Sequence, residues 1–286
     1  MKIEQYLSKS LMKSSVESYL YDIEKYKKAN KNADKYDYQK VMQYIELLRN
    51  NHKVSNVKRV LASIKKYYEY LIEIGKRKDN PARAIKLRDS KENPIQLQDL
   101  FTEKELQNLL NPREERYPFL AKRNKIIMSL LVNQALRIGE IENIKLQDIN
   151  LETATIQIHQ TGITNARNLP LKAEQILLVH NYINHDRNKL KTFRNDKEAL
   201  LLGKLGTPVK KEDVDYLVST YQKQSKKKLN TTTIRQSVLA NLLAKNNDLR
   251  VIQHFAGHKS PDTTEKYRQT GLNALKVAIE KLHPIR

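Results

Sequence analysis

Residues 231–267, TTTIRQSVLANLLAKNNDLRVIQHFAGHKSPDTTEKY, decide how the rest of the chain is read. On a helical wheel Ile234, Val238, Leu239, Leu242 and Leu243 form one apolar stripe, and Arg235 lies inside it. A charge on a burying face needs a partner. Two are open: a carboxylate from a packed helix, or a phosphate drawn by the free N–H groups and dipole of the first turn. Asp248 then caps a short helix, LRVIQHFA, that buries Leu249, Ile252 and Phe255 and stops at Gly257. That stop throws His258 onto the next turn. Ser260 and Pro261 open a further helix, PDTTEKYRQT, which ends at Gly271 and has Tyr267 as its one sizeable apolar side chain. A lone Tyr on a helix with so little core is commonly a docking anchor. Here it follows an isolated His and a stripe-bound Arg in one compact helical run, which makes it a candidate nucleophile.

Upstream, the apolar helix IIMSLLVNQ leads into ALRIGEIENIKLQDINL, residues 135–151. Arg137 is wedged between apolar neighbours, and Glu140, three residues on, is placed to orient it. By itself such a pair is ordinary surface decoration. ATIQIH alternates as a half-buried strand, QTGITN is a turn, and ARNLPL is the returning strand, ending at Pro170.

At these residues the chain resembles the tyrosine recombinases, the phage-integrase family of DNA breaking and rejoining enzymes, and within it the Xer type. The family runs His-x-x-Arg at a helix start, then Leu-Gly-His, then a Tyr nine residues beyond that His. This chain has Thr232-x-x-Arg235, Ala256-Gly257-His258 and Tyr267, with Thr263-Thr264 ahead of the Tyr. The run from Ala135 is similar to the family's first arginine box, Gly-Leu-Arg-x-x-Glu-Leu leading to Leu-x-x-x-Asp-Ile. The resemblance implies a catalytic set of Tyr267, Arg137, Arg235, His258, Thr232 and Glu140. Tyr267 would attack the scissile phosphate to give a 3′-phosphotyrosyl link and a free 5′ hydroxyl. Arg137 and Arg235 would hold the non-bridging oxygens, and His258 would bind the phosphate or handle the Tyr proton. Two guanidiniums suit a five-coordinate transition state, whose extra negative charge they meet with bidentate geometry.

Two positions depart from the family. Thr232 stands at the usual His and offers a neutral hydrogen bond. The lysine that family members carry in the hairpin turn falls here at Gln160 or Thr161, neither of them a cationic acid. Arg167 matches a common family Arg but does not give up its proton, and Lys172 lies past the strand. The acid is unassigned. Two function readings therefore stand: a site-specific recombinase, or a catalytically impaired DNA-binding relative that occupies recombination sites or needs a partner subunit. A helical transcription regulator is a third, and leaves the Arg, Arg, His and Tyr spacing as coincidence.

Composition points the same way. The chain of 286 residues has 53 Lys and Arg against 32 Asp and Glu, a formal charge of +21 that suits a polyanionic partner. A membrane surface is the competing partner, but no apolar run approaches ~20 residues and no signal or lipidation pattern occurs. With no Cys, disulfides and thiolate chemistry are excluded, which suits a cytoplasmic setting. No Gly-rich phosphate loop, His-Glu-x-x-His or acidic metal cluster is present, so no cofactor or metal is expected. His159, His180, His185, His254 and His283 lack metal-ligand spacing and read as structural. The Lys- and Asn-rich composition suits an AT-rich prokaryotic or mobile-element source.

The expected fold is mainly α with a small antiparallel β-sheet. Residues 1–88 read as a helical domain. One helix carries Val16, Leu20, Ile23 and Tyr26, and a second carries Val41, Tyr44, Ile45 and Leu48. A third, with Val57, Leu61, Ile64, Tyr68 and Leu71, starts at Ser55 and stops at Gly75. Lys27, Lys28, Lys53, Lys58, Lys65 and Lys66 lie on its polar faces, as solvated surface or as phosphate contacts. Residues 89–98 read as a linker. Residues 99–286 form the second domain, opened by the capping box Thr102-x-x-Glu105. Within it ALLLG, residues 199–203, reads as a strand. By the resemblance the first domain is the DNA core-binding domain and the second the α+β catalytic domain. The partner is double-stranded DNA, and the protein is a homo-oligomer on it, as a tetrameric synapse. The last amphipathic helix, with Leu272, Leu275, Ile279 and Leu282, would dock on a neighbouring protomer.

Overall fold

The computed structural model describes residues 1–88, 97–190 and 198–267. The chain divides into two compact units, Met1–Asn93 and Pro94–Arg286. Among the described residues the protein is mainly helical, with one three-stranded antiparallel sheet.

The first unit contains α1 (Ile3–Ser8), α2 (Lys13–Ala29), α3 (Tyr38–Asn51) and α4 (Val54–Glu73). Helix α1 is too short to show a period in the sequence. It is held by Leu7, which is fully buried in the core that α2, α3 and α4 share. Lys53, not Ser55, occupies the N-cap of α4, and its end at Gly75 has the left-handed φ of 73° that favours glycine. Inside, the Tyr68 hydroxyl donates to the Ala33 carbonyl at 2.7 Å and meets the Tyr26 hydroxyl at 2.8 Å. Having spent its own proton, Tyr68 must accept from Tyr26. Buried Asp22 is met by Arg59 and by the Ser63 hydroxyl. Of the surface lysines, Lys65 donates to the Ile85 carbonyl and Lys66 pairs with Glu69, whereas Lys27, Lys28 and Lys53 are exposed.

The second unit is built on α6 (Ala121–Asn133), preceded by α5 (Glu103–Asn108). Thr102 and Glu105 cap α5 reciprocally: the Thr102 hydroxyl accepts from the Glu105 N–H, and the Glu105 carboxylate accepts from the Thr102 N–H at 2.7 Å. Helix α6 buries Ile126, Ile127, Met128, Leu130, Leu131 and Val132, so nearly its whole circumference is core. The short α7 (Ile138–Glu142) leads into β1 (Ile149–Asn150), β2 (Thr155–Ile158) and β3 (Arg167–Pro170). The sheet order is β1-β2-β3, with Thr155 opposite Pro170 and Ile158 opposite Arg167. Then come α8 (Ala173–Asn181), a π turn over Tyr182–Asp186, α9 (Arg187–Lys189) and α10 (Lys211–Thr220). These are followed by α11 (Thr231–Ala244), α12 (Leu249–Ala256) and α13 (Pro261–Glu265). Helix α6 packs against α8, α10 and α11.

The strand expected over ALLLG does not form. Leu200, Leu201 and Leu202 are buried, but the segment makes only single bridges, Lys145 to Ala199 and Leu202 to Pro208. The Arg187 guanidinium takes the Ala199 and Leu200 carbonyls, while the Leu200 N–H reaches the Ile144 carbonyl and the Leu201 carbonyl accepts from Val209, so the backbone bonds are too scattered to form a ladder. Of the segment read as linker, residues 97 and 98 begin a 3-10 turn, Leu97–Asp99, and the remainder lies outside the described residues. The helix expected to carry Tyr267 ends earlier, at Glu265, so that Tyr267 lies in the turn beyond it; the remainder of that expected helix and the C-terminal helix expected after Gly271, His283 within it, lie outside the described residues.

Candidate active site

Helix α11 begins at Asn230, whose side chain accepts from the Thr233 N–H at 2.8 Å. The apolar stripe then carries Arg235 inward until only 5% of it is exposed. Its partner is neither a carboxylate nor a second side-chain charge. The guanidinium donates to the Ala135 carbonyl, to the Ala256 carbonyl at 2.7 Å and to His258 Nε2 at 3.1 Å. Of the two partners left open, the carboxylate is not the one found: two carbonyls at the ends of α6 and α12 hold the Nη atoms. Ala135 is itself left-handed, φ 50°, an arrangement that costs an L-residue roughly 1–2 kcal/mol. Burial and the nearby Arg137 lower the Arg235 pKa to about 10, which leaves it charged at neutral pH.

Glu140 does not orient the Arg137 side chain as the i,i+3 spacing suggested. One carboxylate oxygen accepts the Arg137 backbone N–H at 2.9 Å, because Arg137 is the N-cap of α7 and its side chain leaves the helix before the spacing rule applies. Both oxygens instead clasp Arg167 on β3, at 2.7 and 3.0 Å. The two side chains are 1% and 0% exposed. Burial pushes the Glu140 carboxyl up, but the bond and charge of Arg167 outweigh it and the net shift is downward. Arg167 Nε also donates to the Phe255 carbonyl at 2.8 Å, tying β3 to α12. Three guanidiniums therefore gather around one carboxylate, and among the described residues no carboxylate pairs with Arg137 or Arg235. The Nε atoms of both are buried without a hydrogen-bond partner. Arrangements of this kind suit an anion.

Asp248 caps α12 through the Arg250 N–H at 2.7 Å, and Gly257 ends it at φ 68°. The His258 N–H returns to the Gln253 carbonyl at 3.0 Å, closing the helix end and turning the imidazole inward to 2% exposure. A Cβ on Gly257 would lie 2.5 Å from Arg167 Nη1, which Glu140 holds in place. Gly257→Ala therefore combines left-handed strain with a clash against an immobile group. We expect it to lower unfolding stability by roughly 1–3 kcal/mol in urea titration. A change near zero would mean that Arg167 yields freely.

The His258 tautomer follows from its partners. Arg235 can only donate, so Nε2 is the acceptor, and Nδ1–H donates to the Thr264 hydroxyl at 2.8 Å. Burial, then the charges of Arg235, Arg137 and Arg167, lower its pKa from 6.5 to about 4. The native state thus refuses a proton that the unfolded chain accepts. Stability is full above about pH 6.5 and falls by up to about 1.4 kcal/mol per unit towards pH 4. Unfolding midpoints of His258→Asn over this range should show a flatter slope than the wild type. An identical slope would remove His258 as its source.

Tyr267 lies just past the C-cap of α13, Lys266, its N–H on the Thr264 carbonyl at 3.0 Å. The ring is half-buried and stacks on His258, centroids 6.0 Å apart and planes 13° from parallel. So Arg235, His258 and Tyr267 come together, with Arg137 and Glu140 beside them. Thr232 does not join them in the same way: it is exposed on the first turn of α11. Sequence reasoning gave no role to Thr264, fully buried as the partner of His258, and left Arg167 outside the set. The inward side of β3, shared with Leu169, was the signal that could have found Arg167.

The hairpin tip closes on itself, Thr161 and Thr164 hydroxyls 2.7 Å apart. It is fastened to the turn after α12 by the Asn165 N–H to the Gly257 carbonyl at 2.9 Å, a bridge between Thr164 and His258, and Lys259 Nζ to the Gly162 carbonyl at 3.0 Å. Lys172 lines a separate groove with Glu103, Leu106 and Lys245. His159 pairs with Asp148 at 2.7 Å. Among the described residues no group of three His, Cys, Asp or Glu could hold a metal, and no helix is long and apolar enough to cross a membrane.

The profile of the phage integrase family matches residues 99–272. The tyrosine recombinase XerC of Chlamydia pneumoniae is 29% identical over 249 residues, 85% of this chain and 77% of that protein. Among solved structures, the Tn1549 transposon integrase in complex with a circular intermediate DNA superposes with a TM-score of 0.70 at 16% identity, over 99% of both chains. The XerH site-specific recombinase bound to a palindromic difH substrate, a post-cleavage complex, gives 0.69 at 20% identity over 86% of this chain and 70% of that one. At such identities the structural likeness is one of fold.

Proposed function

The chain belongs to the phage integrase family of tyrosine recombinases, and from that premise we propose that it breaks and rejoins duplex DNA at specific sites through a phosphotyrosyl intermediate on Tyr267. The observation that carries this reading is the pair of buried, unpartnered Nε donors on Arg137 and Arg235, beside a tyrosine stacked on His258. Tyr267 Oη attacks the scissile phosphorus, the bond to the 5′ oxygen breaks, and the 3′ phosphate stays on the protein. Covalent storage of the bond makes a nucleotide co-substrate unnecessary. Arg137 and Arg235 bind the non-bridging oxygens. The cluster's positive charge, only partly offset by Glu140, matches the charge that builds up as phosphorus becomes five-coordinate, and the donors are already in place. His258 is neutral, and its Nε2 lone pair accepts the phenol proton in exchange for the hydrogen bond from Arg235 Nη2, while the free Arg235 Nε faces the phosphate. Thr232 contributes at most a neutral hydrogen bond at the rim.

In this proposal the first unit grips the DNA core site, using exposed cations such as Lys27, Lys28 and Lys53 on the phosphate backbone. The protein acts as a homo-oligomer on DNA, a tetramer at synapsis, with the chain beyond Gly271 docking on a neighbouring protomer. A second reading, a relative that binds its sites and cuts weakly or with a partner's help, is favoured by exposed Thr232 and by Gln160 and Thr161 at the hairpin tip.

The two readings part in a trapping assay. A nicked duplex carrying the target is incubated with the protein, so that the cleaved strand diffuses away. A denaturant-resistant adduct, mapped by proteolysis and mass to the peptide bearing Tyr267, is the expected result. Tight, salt-sensitive binding without adduct would overturn the cutting function for the protein acting alone and leave the second reading.

A further inference from the structure

An alkoxide is a poor leaving group, and strand cleavage needs a proton at the 5′ oxygen. The groups around the phosphate site cannot supply it. The Arg137 and Arg167 guanidiniums keep their protons, and those of Arg235, whose pKa burial lowers to about 10, are committed: its Nη atoms serve two carbonyls and His258 and its Nε faces the phosphate. His258 presents a lone pair at Nε2, and its one N–H faces Thr264. Gln160, Thr161 and Thr232 are not cationic acids, and Lys172 sits in the groove beside Glu103 and Lys245. Lys259 brings an ammonium to the hairpin tip from elsewhere in the chain, whereas Lys145, in the pocket beside Gln160 and Thr161, is paired with Glu198. Lys259 follows His258 directly, is exposed, and places Nζ 3.0 Å from the Gly162 carbonyl. Among the described residues no carboxylate pairs with it. The backbone contacts of Asn165 with Gly257 and of Thr164 with His258 hold the tip and the Lys259 turn together. A single carbonyl contact leaves two of the three ammonium protons free for another acceptor.

Resting on Tyr267 as the nucleophile, we infer that Lys259 is the general acid of strand cleavage, delivered across the turn that follows His258 to the hairpin tip. As the Tyr267 Oη–P bond forms and the P–O5′ bond breaks, the proton on Nζ moves to O5′ and leaves a neutral amine. In rejoining, that amine takes the proton back from the 5′ hydroxyl as it attacks the phosphotyrosyl bond.

The test compares two nicked duplexes that differ only in the bridging atom, oxygen or sulfur, at the scissile 5′ position. A thiolate leaves without a proton. Lys259→Ala and Lys259→Arg should cleave the oxygen substrate roughly 10²- to 10⁴-fold more slowly than wild type and the sulfur substrate at close to the wild-type rate. Lys259→Arg retains the charge and a donor for Gly162, so its failure on oxygen separates proton donation from positioning. Normal sulfur cleavage shows that each variant is folded. Equal slowing on both substrates, rescue by Arg, or wild-type rates on oxygen would each overturn the assignment. A wild-type protein that forms no adduct even with sulfur would instead overturn Tyr267 as nucleophile, and with it the role of Lys259.

Discussion

Tyr267→Phe forms no denaturant-resistant adduct with a nicked target duplex, while its Kd for that duplex stays within about twofold of wild type; removal of a covalent nucleophile costs on the order of 10⁶ in rate. The substitution deletes one oxygen and keeps the ring. The stack on His258, 6.0 Å between centroids, and the packing against the second unit's core are therefore retained. Binding rests on cations elsewhere, so affinity and its salt dependence should not move. Gel mobility after denaturation reads the adduct, and titration at two salt concentrations reads the binding. An adduct that persists in the variant would transfer the nucleophile to another residue. A large loss of affinity would make Tyr267 a docking anchor, the other role open to a lone aromatic on a short helix.

Glu140→Gln is expected to destabilise the protein by roughly 3–5 kcal/mol, the range for breaking a buried ion pair from one side. Shape is nearly conserved, so the effect isolates charge. Arg167, with its side chain 0% exposed, would lose its bidentate partner and remain buried as a cation beside Arg235 and Arg137. Unfolding by urea measures the loss. Adding Arg167→Met should recover part of it, because the uncompensated charge then leaves the interior. A loss below about 1 kcal/mol for the single variant would mean that Arg167 finds another partner. The pH dependence has a definite sign. The native carboxyl titrates below its ordinary 4.5, so its contribution is full above that pH and is lost as acid reaches the lowered native value. Glu140→Gln should remove this component of acid sensitivity. The component from His258, between about pH 6.5 and 4, should remain.

Much of the architecture was legible in the sequence because the signals are local. Thr102 with Glu105, Asp248 with the N–H groups of Arg250 and Val251, and Gly257 at a helix end each satisfy backbone groups within a few residues, so residue type and spacing suffice. The same holds for the β2–β3 hairpin, whose alternation places Ile156, Ile158 and Leu169 inward. The order of Arg137, Arg235, His258 and Tyr267 along the chain was likewise visible. Helix α1 and strand β1, six and two residues long, were not, because neither is long enough to display a period. ALLLG misled for the opposite reason. Its run of buried leucines satisfies a strand's burial, but the Ala199 and Leu200 carbonyls are taken by Arg187 and that of Leu202 by Arg123, partners that hydropathy does not reveal.

The charges show where sequence stops. Arg235 on an apolar stripe announced that a partner was needed, and Glu140 near Arg137 suggested which pairs would form. Only the tertiary structure decided them, by bringing α6, α7, β3, α11 and α12 to one point. Arg235 went to the carbonyls of Ala135 and Ala256, Glu140 to Arg167, and Lys259 to the hairpin tip. A helix cap is settled by its own backbone and so is written in adjacent letters. A buried charge is settled by whichever donor or acceptor the packed elements leave within about 3 Å, and that choice does not exist until the core has formed.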